Sequence, residues 1–136
     1  MKKNILIVDD SQSLRRVIQR YLQGIQGVRF FEADDGGAAE LVIQECHACG
    51  SPIDLVLLDW MMPKTTGLEF LERIRNVEAF AKTPKIIMLT AETYPDQIVA
   101  CLKYDISSYM TKPFTQEALE AAVLKVLARG DSEDAV

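Results

Sequence analysis

The sequence is poor in the residues that special stabilising or catalytic devices require. Three cysteines and one histidine in 136 residues give an odd thiol count in a chain long enough to bury a core unaided, so a disulfide framework is not expected. The longest apolar runs, ILIV, LVLL and IIML, fall far short of the roughly 20 residues a helix needs to cross a bilayer. The opening MKKNILIVDD has two lysines and a single short apolar run before two acids. It lacks the length of a secretory leader, and a cytoplasmic protein is expected. Positive charge is not in excess: the net charge of -5 argues against direct nucleic-acid or membrane-surface contact, both of which call for a basic face. There is no internal repeat, low-complexity tract or linker, so one domain is expected, with a frayed acidic tail over 130–136.

What is present is an alternation. Short β-branched runs at Ile5 to Val8, Val28 to Ala33, Asp54 to Leu58, Lys85 to Leu89 and Ser107 to Met110 alternate with stretches of helical period. In the first of these, Leu14, Val17, Ile18, Tyr21, Leu22 and Ile25 recur at spacings of three and four, with Gly24 and Gly27 as the stop. The others are Ala38 to Cys46, Leu68 to Ile74, Asp96 to Leu102 and Gln116 to Leu127, the last preceded by Thr115 as an N-cap. Strands joined by single helices run parallel, and apolar runs without alternation fit burial on both faces. The expected fold is α/β: a single-domain five-stranded parallel sheet between helices.

The strand ends carry the chemistry. The first strand ends in Asp9 and Asp10, the third in Asp59, the fourth in Thr90, and the fifth runs into Thr111 and Lys112. In an open parallel sheet the rim at the carboxyl ends of the strands is where ligands bind. Crowded carboxylates repel one another unless a cation intervenes. A few carboxylates beside a phosphate suit Mg2+, which keeps several waters and is seldom caged by protein alone. An aspartate there can attack a phosphoryl group in line while a metal and a lysine neutralise the transferred oxygens. Asp59, central in the sheet, is the expected nucleophile.

Four pieces of sequence, VDDS (Val8 to Ser11), LLDWMMP (Leu57 to Pro63, with Gly67 following), LTA (Leu89 to Ala91) and YMTKPF (Tyr109 to Phe114), stand in order, each at the end of its strand. Together they resemble the response regulator receiver domain of two-component signal transduction, from Ile5 to about Leu127. The resemblance implies a flavodoxin-like, doubly wound (βα)5 sandwich with strand order 2-1-3-4-5, occupying residues 1–129 and followed by the tail. It implies that Asp59 accepts phosphate from a histidine kinase or histidine phosphotransfer protein. Asp10, Asp59 and the Met61 backbone carbonyl would ligate Mg2+, with Asp9 reaching it mainly through water. Lys112, followed by a cis peptide to Pro113, would pair with the phosphoryl oxygens, and Thr90 and Ala91 would also hold them. Thr90 and Tyr109 would form the switch, reshaping the face of helix four, strand five and helix five for a downstream protein target. Phosphorylation-dependent homodimerisation is left open. Met61 and Glu92, flanking the path of a hydrolytic water, would set the lifetime of the phosphorylated state.

Each of these residues has a plainer reading. Asp9 and Asp10 could begin a helix, Lys112 could be a surface lysine, Thr90 could cap a turn and Tyr109 could be a static half-buried aromatic. Asp105 stands where the family commonly has glycine, and Thr66 where it often has aspartate. Three other functions compete. A receiver-like scaffold or binding module would work without phosphorylation. A flavodoxin-like cofactor binder should not place Asp9 and Asp10 where a phosphate would sit. An aspartate-nucleophile phosphohydrolase commonly needs a second acid at the position of Met61. The sequence Cys46-His47-Ala48-Cys49 has redox or zinc spacing, but it falls at a helix C-terminus, where the dipole opposes a thiolate, and it lacks a fourth metal ligand. It is expected to be a helix end.

Overall fold

A computed structural model describes residues 2–60, 62, 64–91 and 95–134. Five strands, β1 (Lys3–Val8), β2 (Val28–Ala33), β3 (Leu55–Asp59), β4 (Lys85–Thr90) and β5 (Ser108–Thr111), alternate with five helices. These are α1 (Gln12–Leu22), α2 (Gly36–Ala48), α3 (Gly67–Arg75), α4 (Pro95–Leu102) and α5 (Gln116–Asp134), and a short 3-10 helix covers Glu78–Phe80. All pairings are parallel and the order is β2-β1-β3-β4-β5. The order reverses between β1 and β3, which makes their carboxyl ends the topological switch point. No helix among the described residues is long and apolar enough to cross a membrane.

The three central strands explain the unalternating apolar runs. Leu6, Val8, Val56, Leu58, Ile86 and Met88 face one layer, with Ala39 and Ile43 of α2 and Phe70, Leu71 and Ile74 of α3. Ile5, Ile7, Leu55, Leu57, Ile87 and Leu89 face the other, with Ile18 and Leu22 of α1 and Leu119 and Val123 of α5. Successive side chains point to opposite faces, so a strand covered on both sides must be apolar throughout. The edge strands β2 and β5 are only partly buried.

Side chains fix most helix starts. Ser11 accepts from the Leu14 N–H to cap α1, Asp35 accepts from the Ala38 N–H to cap α2, and Thr115 accepts from the Ala118 N–H to cap α5. Thr66 accepts from the Glu69 N–H while its hydroxyl contacts the Glu69 carboxylate at 3.2 Å. Thr66 is thus the N-cap of α3, its hydroxyl also tied to the Glu69 carboxylate. Asp105, standing where the family commonly has glycine, has a φ of 58°, a left-handed conformation that costs an aspartate about 1 kcal/mol. Beside it, the buried Arg75 donates to four carbonyls: Tyr104 at 2.8 Å, Asp105 at 3.2 Å, Phe80 at 3.1 Å and Pro84 at 2.8 Å. One guanidinium thereby ties the end of α3 to the α4–β5 connection.

Candidate functional site

Asp59 is the last residue of β3 and pairs in register with Leu89 of β4. Because it still belongs to the sheet, its backbone is held by the ladder while its carboxylate reaches the rim. The backbone just after it is also fixed: the Trp60 N–H donates to the Leu89 carbonyl at 3.0 Å, and the Gly67 N–H to the Trp60 carbonyl at 2.9 Å. A Cβ on Gly67 would stand 3.1 Å from the Asp59 carbonyl oxygen and 3.2 Å from Trp60 Cα. Glycine at 67 is what lets α3 start this close to the end of β3.

The structure gathers Asp9, Asp10 and Asp59 so that one carboxylate oxygen from each lies within 4.8 Å of the others. Asp9 and Asp59 are buried and Asp10 is exposed. Lys112, carried just past β5, places Nζ 3.1 Å from Asp59 Oδ1 and 3.2 Å from Asp9 Oδ2. Its backbone N–H donates to the Thr90 carbonyl at 2.7 Å, and the Lys112–Pro113 peptide is cis. Thr90 ends β4 and is buried, with Ala91 exposed immediately after it. Tyr109, on the edge strand, is 45% exposed. Met61 and Glu92 lie outside the described residues.

Asp9 and Asp10 do not cap α1, since Ser11 does. Asp9 Oδ1 instead accepts from the Ser11 N–H at 2.8 Å. Sequence reasoning missed Arg15 of α1, whose Nη1 donates to the Asp9 carbonyl and whose Nε pairs with Glu32 of β2 at 2.9 Å. No local pattern announces these contacts: one partner is a main-chain carbonyl, and Glu32 comes within reach only once β2 lies beside β1.

The Cys46-to-Cys49 segment is a helix end: Cys49 is the C-cap of α2, and His47 packs edge-on against Phe80. Burial, aided by Cys49 and Glu45 and opposed by Arg29, pushes the Cys46 thiol up, the opposite of what redox chemistry needs. Burial alone pushes the Cys101 thiol up to about 11. A thiol reagent at mildly alkaline pH is therefore expected to label the exposed Cys49 first and Cys101 only on unfolding. Peptide mapping after timed alkylation checks the order; early labelling of Cys101 would contradict its burial.

The rim of acids and lysine on this fold has counterparts among known proteins. The chain matches the response regulator receiver domain family over residues 5–124. It is 34% identical over 125 residues to the chemotaxis protein CheY of Pseudomonas aeruginosa, covering 92% of this chain and 96% of that protein. It is 39% identical over 134 residues to the phosphate regulon transcriptional regulatory protein PhoB of the same organism, covering 96% of this chain and 56% of that longer protein. A CheY-like receiver domain protein from Methanospirillum hungatei superposes with a TM-score of 0.84 at 24% identity, over 98% of this chain and 99% of the other, a likeness of fold. Such receivers are phosphoacceptor signalling domains, not conventional enzymes, and interact with histidine kinases and downstream targets. A match over this much of the chain, supported by a relative aligned along nearly its whole length, means that the chain belongs to the response regulator receiver domain family.

Proposed function

We propose that Asp59 takes a phosphoryl group from a histidine kinase or histidine phosphotransfer protein and that the α4-β5-α5 face then signals by protein contact. The observation that carries this reading is the Lys112 ammonium lying between the Asp59 and Asp9 carboxylates. An Asp59 carboxylate oxygen attacks phosphorus in line and forms the acyl phosphate bond. The bond from phosphorus to the donor imidazole breaks, and its electron pair stays on the ring nitrogen, which takes up a proton. Lys112 neutralises charge gathering on the transferred oxygens, Thr90 donates its hydroxyl to them, and Ala91 offers its backbone N–H. The protein catalyses only its own phosphorylation and dephosphorylation.

The donor set fits Mg2+. Three carboxylates of hard oxygen face one ammonium, two formal negative charges remain, and the exposed Asp10 leaves one side of the cluster open to water. Asp10 and Asp59 would hold the ion with the Met61 carbonyl, and Asp9 would act through water. When bound, the ion supplies further neutralisation of the phosphoryl oxygens.

Six large hydrophobic side chains are exposed among the described residues, and four of them, Val99, Leu102, Tyr109 and Leu124, lie on α4, β5 and α5. That concentration supports this face as the output surface, with Thr90 and Tyr109 as the switch. Incubation with Mg2+ and a small acyl phosphate is expected to add one phosphoryl group per chain, seen by mass spectrometry, with a change in Trp60 fluorescence. Asp59→Asn is expected to abolish the adduct. An unmodified wild-type protein would overturn the phosphoacceptor reading in favour of a receiver-like binding module.

A further inference from the structure

Asp9 accepts hydrogen bonds at three atoms. Its Oδ1 accepts from the Ser11 N–H, its Oδ2 from Lys112, and its main-chain carbonyl from Arg15 Nη1. The third contact differs in kind, because the Asp9 carbonyl belongs to the peptide unit that joins Asp9 to Asp10. Holding that oxygen restrains the peptide plane and, through it, the Asp10 Cα from which that carboxylate leaves the chain. Arg15 is itself held: Nε pairs with Glu32 at 2.9 Å, and its side chain is only 13% exposed. A guanidinium spanning a carbonyl and a carboxylate is a fork that a single ammonium does not reproduce.

We propose that Arg15, anchored by Glu32 on β2, is a positioning residue that aims Asp10 into the cation site formed with Asp59. The inference rests on the Mg2+-dependent phosphoacceptor reading above. It assigns work to a contact that otherwise looks like a helix-to-strand ion pair. Outer partners that orient metal ligands commonly matter by 10–100-fold in affinity.

The sign of the effect separates positioning from bulk electrostatics. Arg15 is a cation beside an acidic cluster, so deleting its charge should by itself favour Mg2+. Positioning demands the reverse. Mg2+ titration of the unphosphorylated protein, followed by Trp60 fluorescence, is expected to show Arg15→Gln on the order of tenfold weaker than wild type. Arg15→Lys, which keeps the charge and loses the fork, is expected to be weakened too, and it decides the matter should Arg15→Gln fail to fold. Arg73→Gln, which severs the 3.0 Å pair with Glu40 between α3 and α2, is the control and should leave the affinity unchanged. Equal or tighter binding by the folded Arg15 variants overturns the proposal. A wild-type protein that shows no saturable response to Mg2+ instead removes the phosphoacceptor reading on which it stands.

Discussion

Arg75→Leu is expected to lower the free energy of unfolding by about 3 kcal/mol, a large share of the 5–15 kcal/mol typical of a domain this size. The Phe80 and Pro84 carbonyls receive the guanidinium in a buried setting, and those of Tyr104 and Asp105 in a partly buried one. A leucine leaves the first two without a donor, at about 1–3 kcal/mol each. The other two can turn to water. Removing the buried cation returns part of its own desolvation cost; that cost is real, since burial pushes the Arg75 guanidinium below its ordinary range and Asp105 only partly offsets it. The losses outweigh that return because four acceptors share one donor group. For a chain of this length the midpoint of thermal unfolding should fall by about 10 °C. Arg75→Lys should recover only part of this, one compact ammonium being unable to serve carbonyls on three separate segments. Calorimetry of the three proteins checks the ranking. A loss under about 1 kcal/mol for leucine would mean that the α4–β5 connection is held by other contacts.

Arg75 also marks the limit of what the sequence discloses. Strand positions, their parallel sense and the two-faced burial follow from apolar runs interrupted by helical periods, because those patterns are local. Asp9, Asp10, Asp59, Thr90 and Lys112 could be placed on one rim because each closes a strand and all strands run the same way. The order 2-1-3-4-5 came from the family resemblance, since nothing local in the strands distinguishes that permutation from others. Arg75 and Arg15 were invisible for a common reason: each bonds to main-chain carbonyls, which every residue has, so no partner type signals the contact. Thr66 shows what family comparison passes over: a hydroxyl three residues before the Glu69 carboxylate spells a helix start by itself. Asp105 was legible in part: its place at a family glycine marked the turn as unusual, but neither its left-handed backbone nor the arginine that fastens its carbonyl was disclosed.

Lys112→Met is expected to move two properties in opposite directions. The ammonium lies 3.1 Å from Asp59 and 3.2 Å from Asp9, and the two carboxylate side chains are 8% and 2% exposed, so water replaces it poorly. Its loss removes a preorganised positive charge from the place where phosphoryl oxygens would gather, and the rate of Asp59 phosphorylation from a small acyl phosphate should fall on the order of 100-fold. The same loss removes a cation that hydrogen-bonds both acids, leaving a more negative cluster that holds Mg2+ more tightly. Without Mg2+ the variant should unfold more easily than wild type, because two buried carboxylates lose their shared partner. Saturating Mg2+ should then stabilise it by more than it stabilises wild type, through preferential binding to the folded state. A lysine that merely supports the fold would lower stability and leave the phosphorylation rate of the folded fraction intact. Rate measured per folded molecule, beside Mg2+-dependent melting, separates the two, and an unchanged rate would strip Lys112 of its part in phosphoryl transfer.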